Sequence, residues 1–442
     1  MKISISGIRG IYDDDINLHD IVKYSRLFGA YIRKLGSRTC LLARDTRPSS
    51  NILFQTVCAA LMEQQINVLD IDIATTPAAF RESRQYKSAI IVTASHNPIE
   101  WNGLKFAIDG RGMFENELAT MLDGTISPGI TYGSVSPANT SYINDIIDLI
   151  NKYSYSANIV TQKNIGLDPG GGAASKYASE LFTGLGQRSH SINDIDGISS
   201  RSPDPTTDPL NELCNLVTTS KLEFGFAFDL DGDRLVVVDK YGKKLTPDST
   251  LLLCIAGTLQ QGMKKYVTSL DTSNAIADIV KSHSGNINYS KVGEANVVQT
   301  MIQENAEAGG EGSSAGFILP SFNMCRDGIL SAAIIASLND KVIDECMSIA
   351  SKYEIVRTKI PISPSHVDEL MQKLKERFKE FSYDVLESDG IKALVDDNSW
   401  ILVRPSNTEN VLRISVESRS DNASKLYGKA KELVVSIYDQ IK

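Results

Sequence analysis

Three segments of the chain repeat one order of features: an apolar run that ends at an aspartate, a polar loop, and an apolar-periodic stretch. The runs end at Asp45, Asp168 and Asp271, about a hundred residues apart, which is the size of a small domain. A strand, a loop and a helix in this order form the βα unit of a parallel or mixed sheet. The sequence therefore predicts three related α/β domains. The expected strands and helices, in chain order, are 40–45, 52–62, 164–168, 173–185, 266–271 and 275–282.

Each of these segments is followed by a second polar loop. Ser95 lies in the first of these loops, Asp231 in the second and Glu311 in the third. Open α/β sheets bind their ligands at the carboxyl ends of strands, so related domains could present the three loops to one cleft. The alternative is that ordinary turns fall at similar intervals by chance. We expect the shared cleft.

The remainder of the chain differs from the three repeats. Apolar residues at helical spacing predict a helix over 367–381, strands are expected at 400–403 and 411–416, and 423–441 indicates a closing helix. The expected fold is therefore α/β: three related domains of βα units with mixed sheets, plus a C-terminal α+β domain, around a central cleft. The expected domain limits are 1–137, 138–241, 242–352 and 353–442.

Composition restricts the possible partners. The net charge is −9 and no block of lysines and arginines occurs, so nucleic acid is not an expected partner. No apolar run is long enough to span a bilayer, and the first residues lack the features of a signal peptide. The six cysteines are scattered without a Cys-x-x-Cys pair, which is typical of reduced cytoplasmic proteins. We expect a cytoplasmic protein without a membrane partner that acts on a small molecule, which could be anionic.

The loop at 93–98, with the sequence TASHNP, follows a short apolar and β-branched run that predicts a buried strand over 88–92. Asn97 and Pro98 break the backbone, so Ser95 should lie on a tight loop at the carboxyl end of that strand. A serine hydroxyl beside imidazole and amide groups suits a covalently modified nucleophile. The alternative is a turn whose Ser and Asn side chains only satisfy backbone groups.

Three carboxylates fall within five residues, at Asp229, Asp231 and Asp233, after another apolar strand. Held together without a cation they would repel one another, and their pKa values would rise. Hard divalent ions take oxygen ligands, so the motif predicts a Mg²⁺ site. A solvated acidic turn is the alternative, but Gly232 tightens the backbone and Arg234 leads directly into a strand. Calcium is less favoured because the further ligands of an EF-hand loop are missing.

Near the C-terminus, Arg404, Ser406, Asn407 and Thr408 place a guanidinium, two hydroxyls and an amide within one turn. This set suits phosphate, because arginine offers a bidentate fork and turn N–H groups with hydroxyls can bond the remaining oxygens. Arg413 could join them from the next strand.

Two glycine-flanked loops carry weaker signals. Arg9 could be brought to the cleft on a flexible glycine hinge, and Glu311 with Ser313 could hold vicinal hydroxyls of a sugar. Either loop alone is equally compatible with an ordinary turn.

Together these loops resemble the α-D-phosphohexomutase family, which includes phosphomannomutase/phosphoglucomutase and phosphoglucosamine mutase. The resemblance covers essentially the whole chain in the family's own order. The matching segments are 6–10 for the N-terminal Gly-Ile-Arg-Gly element, 93–98 for the phosphoserine loop, 102–105 for Asn-Gly-x-Lys, 229–234 for Asp-x-Asp-Gly-Asp-Arg, 310–313 for Gly-Glu-x-Ser and 404–409 for the phosphate loop.

Two positions depart from the family pattern. The sugar loop of the family usually continues Ser-Gly-His, whereas this chain has Ser313, Ser314, Ala315 and Gly316, so a histidine contact is missing. This glycine-rich form is more similar to that of archaeal-type members. The phosphate loop is followed by Asn410, where proline is common. The first departure leaves the sugar open among mannose, glucose and glucosamine phosphates.

The resemblance implies a mechanism. Ser95 would carry a phosphoryl group, pass it to a hexose monophosphate to give a 1,6-bisphosphate, and recover the other phosphate; hexose 1,6-bisphosphate would act as activator. The four domains would carry the phosphoserine, the metal, the sugar and the second phosphate in turn. The implied catalytic residues are Ser95, His96, Lys105 and Arg9, the Mg²⁺ ligands are Ser95, Asp229, Asp231 and Asp233, and the substrate-binding residues are Arg234, Glu311, Ser313, Arg404, Ser406, Asn407, Thr408 and Arg413.

Two other functions fit part of the chain. The segment 226–232 also resembles the start of haloacid-dehalogenase phosphatases, in which Asp229 would be the nucleophile, although that family usually has Thr or Ser at the head of a helix after the Asp-Gly. A non-catalytic paralogue that binds a sugar phosphate or a protein partner is the second alternative, suggested by the altered sugar loop. The enzyme could be a monomer or a homodimer.

Overall fold

The predicted βα repeat is present three times in the structure, a computed structural model that describes residues 1–126, 131–155, 162–406, 410–419 and 422–442. The first domain is built on an eight-stranded sheet with the order β1-β2-β6-β5-β3-β4-β8, in which β7 also pairs with β6. Its elements are β1 (Lys2–Ser4), β2 (Gly7–Ile11), α1 (Leu18–Lys34), β3 (Thr39–Arg44), α2 (Ser50–Glu63), β4 (Asn67–Ile73), α3 (Thr76–Tyr86), β5 (Ser88–Val92), β6 (Trp101–Ile108), β7 (Arg111–Gly112), α4 (Glu115–Leu122) and β8 (Val135–Pro137).

The second and third domains have four-stranded sheets, ordered β10-β9-β11-β12 and β14-β13-β15-β16. The elements of the second are α5 (Tyr142–Tyr155), β9 (Asn164–Asp168), α6 (Ala174–Gly184), β10 (Arg188–Ser191), α7 (Asn211–Thr219), β11 (Phe224–Phe228) and β12 (Leu235–Asp239). Those of the third are α8 (Pro247–Gln260), β13 (Lys265–Ser269), α9 (Asn274–Ser282), β14 (Asn286–Ser290), α10 (Glu294–Glu304), β15 (Ala308–Glu311), a 3₁₀ turn (Gly312–Ser314), β16 (Gly316–Ile318), α11 (Gly328–Ala336) and α12 (Asp340–Ala350).

The three sheets share one core of four strands. In each, a central strand pairs in parallel with a neighbour on either side, and one neighbour pairs with an outer antiparallel strand. The equivalent sets are β4-β3-β5-β6, β10-β9-β11-β12 and β14-β13-β15-β16. β5 and β11 are buried along their whole length, as expected of strands in sheets covered on both faces. The prediction of three related α/β domains is confirmed.

The C-terminal domain is a five-stranded antiparallel sheet, ordered β17-β21-β20-β19-β18, with two long helices. The predicted α+β architecture is therefore confirmed, and the closing helix has the predicted bounds. Its elements are β17 (Tyr353–Pro361), a 3₁₀ turn (Pro364–His366), α13 (Val367–Glu380), β18 (Asp384–Leu386), β19 (Ile391–Asp396), β20 (Ser399–Pro405), β21 (Val411–Arg419) and α14 (Ala423–Ile441).

The apolar cores separate the last domain from the others. One large cluster runs through the first three domains, from Leu41 through Phe226 to Ile334, so burial of apolar surface joins them. The C-terminal domain has its own cluster around Leu374 and Val403. A small apolar cluster formed by Leu270, Trp400 and Leu402, with Ile355 packed against it, bridges the third and fourth domains.

The topology brings the polar loops to equivalent places. β5, β11 and β15 occupy the same position in their sheets, and their carboxyl ends lead into the loops that contain Ser95, Asp229 and Gly312. The predicted strands 88–92 and 164–168 have the observed bounds, whereas the strand predicted over 266–271 ends at Ser269 because Thr272 N–H bonds to Ser269 O and closes a turn. The domain limits expected from the sequence stay a prediction. None of the helices in the described ranges combines the length and apolar character that a membrane span requires.

Candidate active site

Ser95 lies in a tight loop directly after β5, with a φ of 53°, in the left-handed region that a non-glycine residue rarely adopts. Its side chain is buried, and its Oγ donates a hydrogen bond to Asp229 Oδ2 at 2.9 Å. His96 Nδ1 lies 3.3 Å from the same Oγ. A strained backbone at a buried hydroxyl is typical of functional sites, where the surroundings hold the unfavourable conformation in place.

Arg47, which the sequence analysis missed, stabilises the Ser95 loop through bonds to its main chain. Its side chain is completely buried, and its Nη2 donates to the carbonyl oxygens of Ser95 at 2.6 Å and Asn97 at 2.7 Å. Its Nη1 donates to the carbonyls of Pro98 and Trp101. The guanidinium thus satisfies four main-chain acceptors of one loop, a role that no local motif indicates because the partners are about fifty residues away.

Asp45, the first of the repeated aspartates, is the counter-charge of Arg47. Its Oδ2 accepts from Arg47 Nε at 3.0 Å and from Thr93 Oγ1 at 2.7 Å, and that hydroxyl accepts the Ser95 N–H at 2.8 Å. The second repeated aspartate, Asp168, is paired in a similar way with Arg201 at 2.9 Å. Two of the repeated aspartates are therefore each paired with a buried arginine.

Asp229, Asp231 and Asp233 are completely buried, and a carboxylate oxygen of each lies within 4.8 Å of the others. Burial, then repulsion by Asp233 and Asp231, raises the pKa of Asp229 well above its usual range. The Oδ1 atoms of Asp231 and Asp233 are buried without any hydrogen-bond partner. Bare oxygens of this kind, converging in a buried cluster, fit a hard divalent cation such as Mg²⁺.

Lys105, on β6 of the first domain, bridges two of these three aspartates. Its Nζ donates to Asp231 Oδ2 and to Asp233 Oδ2, both at 2.7 Å, and Thr76 Oγ1 donates to Asp231 Oδ2 at 2.6 Å. Burial alone would lower the pKa of Lys105, but Asp231 and Asp233 raise it above its usual value. The ammonium therefore stays charged, and it leaves the Oδ1 atoms available to a cation.

Two arginines and a histidine complete the surroundings of Ser95. Arg9 Nη1 donates to Asn97 Oδ1 at 3.3 Å, and Arg234 Nη2 lies 3.3 Å from His96 Nε2. Burial, and then the nearby Arg234 and Arg9, lowers the pKa of His96 well below its usual range. The imidazole beside the seryl oxygen is therefore neutral at ordinary pH.

The predicted sugar loop is joined to the metal loop by Arg326, a residue that the sequence analysis did not single out. Glu311 Oε1 accepts the N–H of Gly293 at 2.7 Å, and its Oε2 accepts from Arg326 Nη1 at 3.2 Å. Arg326 Nη2 in turn donates to Asp233 Oδ2 at 2.8 Å. The only local sequence signal was the Asp327-Gly328 start of α11, which indicates a helix N-cap and no ion pair.

The third repeated aspartate, Asp271, is also buried. Burial would raise the pKa of Asp271, but Arg357, the hydroxyls of Ser269 and Ser313, and Arg404 lower it.

The predicted phosphate loop reaches the predicted sugar loop through Asp389. Arg404 Nη1 lies 4.0 Å from Asp389 Oδ2, which accepts the N–H of Val292 at 2.9 Å. The next residue, Gly293, donates its N–H to Glu311.

The phosphate loop connects β20 and β21. Arg404 and Arg413 face each other directly across these strands, and Ser406 N–H donates to Val411 O at 2.9 Å. Arginines at paired positions on neighbouring strands fit an anion such as phosphate. Asn407 and Thr408 lie outside the described residues.

A cavity of about 530 Å³ adjoins the same centre on the side of the second domain. His96 to Ile99 form one wall, and residues 197–207 form much of the other. Arg234 connects this wall to the centre, since its Nη1 lies 3.6 Å from Asp204. Side-chain contacts join Ser95 to Asp229 and His96, His96 to Arg234, and Lys105 to Asp231 and Asp233. Arg9 contacts the Ser95 loop through Asn97, and Glu311 joins the aspartates through Arg326.

Comparison with known families identifies the class of protein. "Phosphoglucomutase/phosphomannomutase, alpha/beta/alpha domain I" matches residues 1–126, domain II of that family matches 140–242, domain III matches 246–354 and the C-terminal domain matches 363–429. The matches cover most of the chain in the order that the motifs predicted. The chain therefore belongs to the phosphoglucomutase/phosphomannomutase family, the α-D-phosphohexomutases.

Individual members of this family are similar to the chain over nearly its whole length. A "Probable phosphoglucosamine mutase" of Pyrococcus horikoshii is 31% identical over 98% of this chain and 97% of its own. A "Phosphoglucosamine/phosphogalactosamine mutase" of Sulfurisphaera tokodaii is 29% identical over 97% of this chain and 98% of its own. The crystal structure of a phosphoglucomutase/phosphomannomutase family protein of Burkholderia thailandensis superposes with a TM-score of 0.84, at 24% identity over 98% of both chains. The chain is thus an enzyme, an intramolecular phosphotransferase.

Membership of this family does not favour the alternative of a haloacid-dehalogenase phosphatase with Asp229 as nucleophile. The fold agrees, because Asp229 is followed within six residues by β12, an antiparallel strand, and not by a helix with Thr or Ser at its head.

Proposed function

We propose that the enzyme interconverts the 6-phosphate and 1-phosphate of a hexose or hexosamine, with Ser95 as the phosphoryl carrier. The observation that supports this most is the 2.9 Å hydrogen bond from the Ser95 hydroxyl to Asp229, beside two bare carboxylate oxygens of Asp231 and Asp233. Relatives named phosphoglucosamine mutase make glucosamine phosphate the first substrate to test, ahead of mannose and glucose phosphates.

The proposed binding scheme separates the reacting end of the sugar from the other end. Arg404, Ser406, Asn407, Thr408 and Arg413 hold the phosphate that is not reacting. Glu311 and Ser313 hold hydroxyls that both orientations of the sugar share. A hexose 1,6-bisphosphate can therefore turn over between the two half-reactions, and added bisphosphate acts as activator by loading Ser95.

In the proposed transfer, a sugar hydroxyl oxygen forms a bond to phosphorus while the bond from phosphorus to Ser95 Oγ breaks. The proton of the sugar hydroxyl must leave and the seryl oxygen must gain one. Neutral His96, with Nδ1 at 3.3 Å from Ser95 Oγ, can exchange that proton, and Lys105 and Arg9 supply positive charge or a further proton donor.

The candidate cation site fits this chemistry. Asp229, Asp231 and Asp233 would hold Mg²⁺ together with an oxygen on Ser95. When bound there, Mg²⁺ supplies positive charge against the phosphoryl oxygens. Arg234, paired with Asp204, steadies the loop that carries these aspartates.

The test is the Ser95→Ala variant with glucosamine, mannose and glucose phosphates, in the presence of Mg²⁺ and the matching 1,6-bisphosphate. We expect loss of turnover and loss of the mass of one phosphoryl group from the intact protein, whereas an exposed control, Ser365→Ala, keeps both. Chelation of divalent ions should also stop turnover. Near-normal activity of Ser95→Ala would refute the carrier role, and an intact protein that converts no sugar phosphate would support the non-catalytic alternative.

Three expectations stay predictions. The enzyme is expected to be cytoplasmic, to act as a monomer or homodimer, and to bind neither nucleic acid nor membranes. All six cysteines are free thiols in the structure, which supports a reducing compartment.

A further inference from the structure

Arg326 is the residue through which the metal loop and the sugar loop touch. It precedes Asp327, the N-cap residue of α11, and only about a tenth of its side chain is exposed. Each of its three guanidinium nitrogens pairs with a different carboxylate: Nη2 with Asp233 at 2.8 Å, Nε with Glu294 at 3.1 Å and Nη1 with Glu311 at 3.2 Å. One buried cation is thus shared between the second and third domains.

The ion pairs of Arg326 connect the metal loop to the sugar loop and leave one oxygen of Asp233 unused. Asp233 contacts Arg326 and Lys105 through Oδ2 alone, so its bare Oδ1 can receive a cation while the ion pair stays formed. Glu311 accepts from Arg326, from Gly293 N–H and from Ser314 Oγ at 3.3 Å, and the guanidinium is the charged group among these three donors. Groups that hold a metal ligand from behind orient it and change metal affinity.

The altered sugar loop makes room for this arrangement. A Cβ added at Gly316 would lie 2.2 Å from Arg326 Cδ, so any larger residue there would displace the arginine stem. Glu294 fixes the arginine from the other side, since its Oε2 accepts both the main-chain N–H and Nε of Arg326 at 3.1 Å. Gly316 and Glu294 together therefore fix the position of the Arg326 side chain.

We propose that Arg326 is a positioning residue that couples the two sites, so that a divalent cation at the aspartates and a sugar phosphate at Glu311 each strengthen the binding of the other. This proposal rests on the proposed function for the identity of both ligands. Because coupling is reciprocal, the cation must tighten sugar-phosphate binding by the same factor as the sugar phosphate tightens cation binding.

The test is calorimetric binding of glucosamine 6-phosphate to the unphosphorylated full-length enzyme, with and without Mg²⁺, so that no turnover occurs. We expect Mg²⁺ to tighten binding by about fivefold or more in the wild type and by less than about twofold in Arg326→Lys, which keeps the charge but loses the three-way contact. The control is Arg26→Lys, which changes the pair between Arg26 on α1 and Glu63 on α2 in the first domain and should retain the wild-type coupling.

A second variant, Glu294→Gln, keeps the proposal testable if Arg326→Lys does not fold. Glu294→Gln removes the charge that holds Arg326 and leaves Asp233 and Glu311 intact, so it should reduce the coupling factor and leave Mg²⁺ affinity in the absence of sugar within about twofold. Wild-type coupling in Arg326→Lys, or in Glu294→Gln if the first does not fold, would overturn the proposal, as would a wild type without coupling. Turnover of hexose phosphates is measured separately, so an inactive enzyme with Arg326-dependent coupling would contradict only the proposed function.

Discussion

At the scale of single residues, the arginines of this enzyme divide into those that hold main-chain loops and those that face charged groups. Arg47 belongs to the first group, because its partners are four carbonyl oxygens and the buried carboxylate of Asp45. Arg44, three residues earlier, pairs instead with Asp72, whose side chain is two-thirds exposed. Two arginines only three residues apart thus have very different energetic weight.

This difference can be measured with Arg47→Met and Arg44→Met, which remove the charge and keep the aliphatic stem. Arg47→Met removes the counter-charge of the buried Asp45 carboxylate and the donor that four carbonyl oxygens share, so we expect a loss of about 3–5 kcal/mol in the free energy of unfolding. It should also lower kcat, because the Ser95 loop loses its support. Arg44→Met should change stability by about 1 kcal/mol or less, since exposed ion pairs contribute little. Equal losses in urea-induced unfolding would contradict this assignment.

At the scale of helices and strands, close approach of main chains explains why glycine occurs in the strand before the sugar loop. A Cβ on Gly309 of β15 would lie 1.8 Å from the carbonyl oxygen of Val267 on β13, whereas a Cβ on Gly428 in α14 would meet nothing within 4 Å. The first glycine is required by strand pairing. The second only adds conformational freedom to a helix interior.

Alanine at these two positions should therefore have opposite effects. Gly309→Ala forces β15 away from β13, so we expect a loss of about 1–3 kcal/mol in stability and a higher KM for sugar phosphate, because β15 ends at Glu311. Gly428→Ala should stabilise the protein by about 0.5–1 kcal/mol and leave KM unchanged. Thermal unfolding and steady-state kinetics of both variants provide the check. An unchanged KM in Gly309→Ala would show that sugar-phosphate binding does not depend on this strand pairing.

The elements also show what the sequence could predict. Local patterns determined β5, β9 and α14 to the residue, because a short buried strand or an amphipathic helix is encoded within its own segment. Motifs with their own chemistry, such as the aspartates at 229–233, indicated one cluster correctly. Arg47 and Arg326 escaped prediction because their partners lie far along the chain, at Ser95 and Asp233. Such contacts depend on how the strand ends meet, which no local pattern records.

At the scale of the whole molecule, the buried carboxylate of Glu417 contributes to the contact between the third and fourth domains. Glu417 on β21 is fully buried and accepts hydrogen bonds from Ser273 Oγ, from Asn274 N–H at 2.9 Å and from Trp400 Nε1 at 2.7 Å. Lys392 on β19 lies nearby, and its Nζ donates to the carbonyl of Leu270 at 2.6 Å. Because the two domains have separate apolar cores, the charge of this polar contact affects how firmly they hold together.

The contact should make stability depend on pH in a defined direction. Burial, opposed by the hydrogen bonds of Ser273, Asn274 and Trp400, raises the pKa of Glu417 from 4.5 to about 7. A carboxyl group with a raised folded-state pKa contributes stability fully below its unfolded pKa and loses that contribution as the pH rises through its folded pKa. Ionisation of Glu417 should therefore weaken the contact between about pH 4.5 and pH 7, by about 3 kcal/mol in total.

A difference measurement isolates this residue from the other titrating groups of the molecule. The side chain at position 417 does not titrate in Glu417→Gln. This variant is less stable than the wild type because its amide places N–H groups against three donors. The wild-type advantage in free energy of unfolding over this variant should shrink as the pH rises from about 4.5 to about 7 and stay constant above that range. Burial lowers the pKa of Lys392 to about 8, so a difference that changes only above pH 7 would assign the effect to the lysine instead.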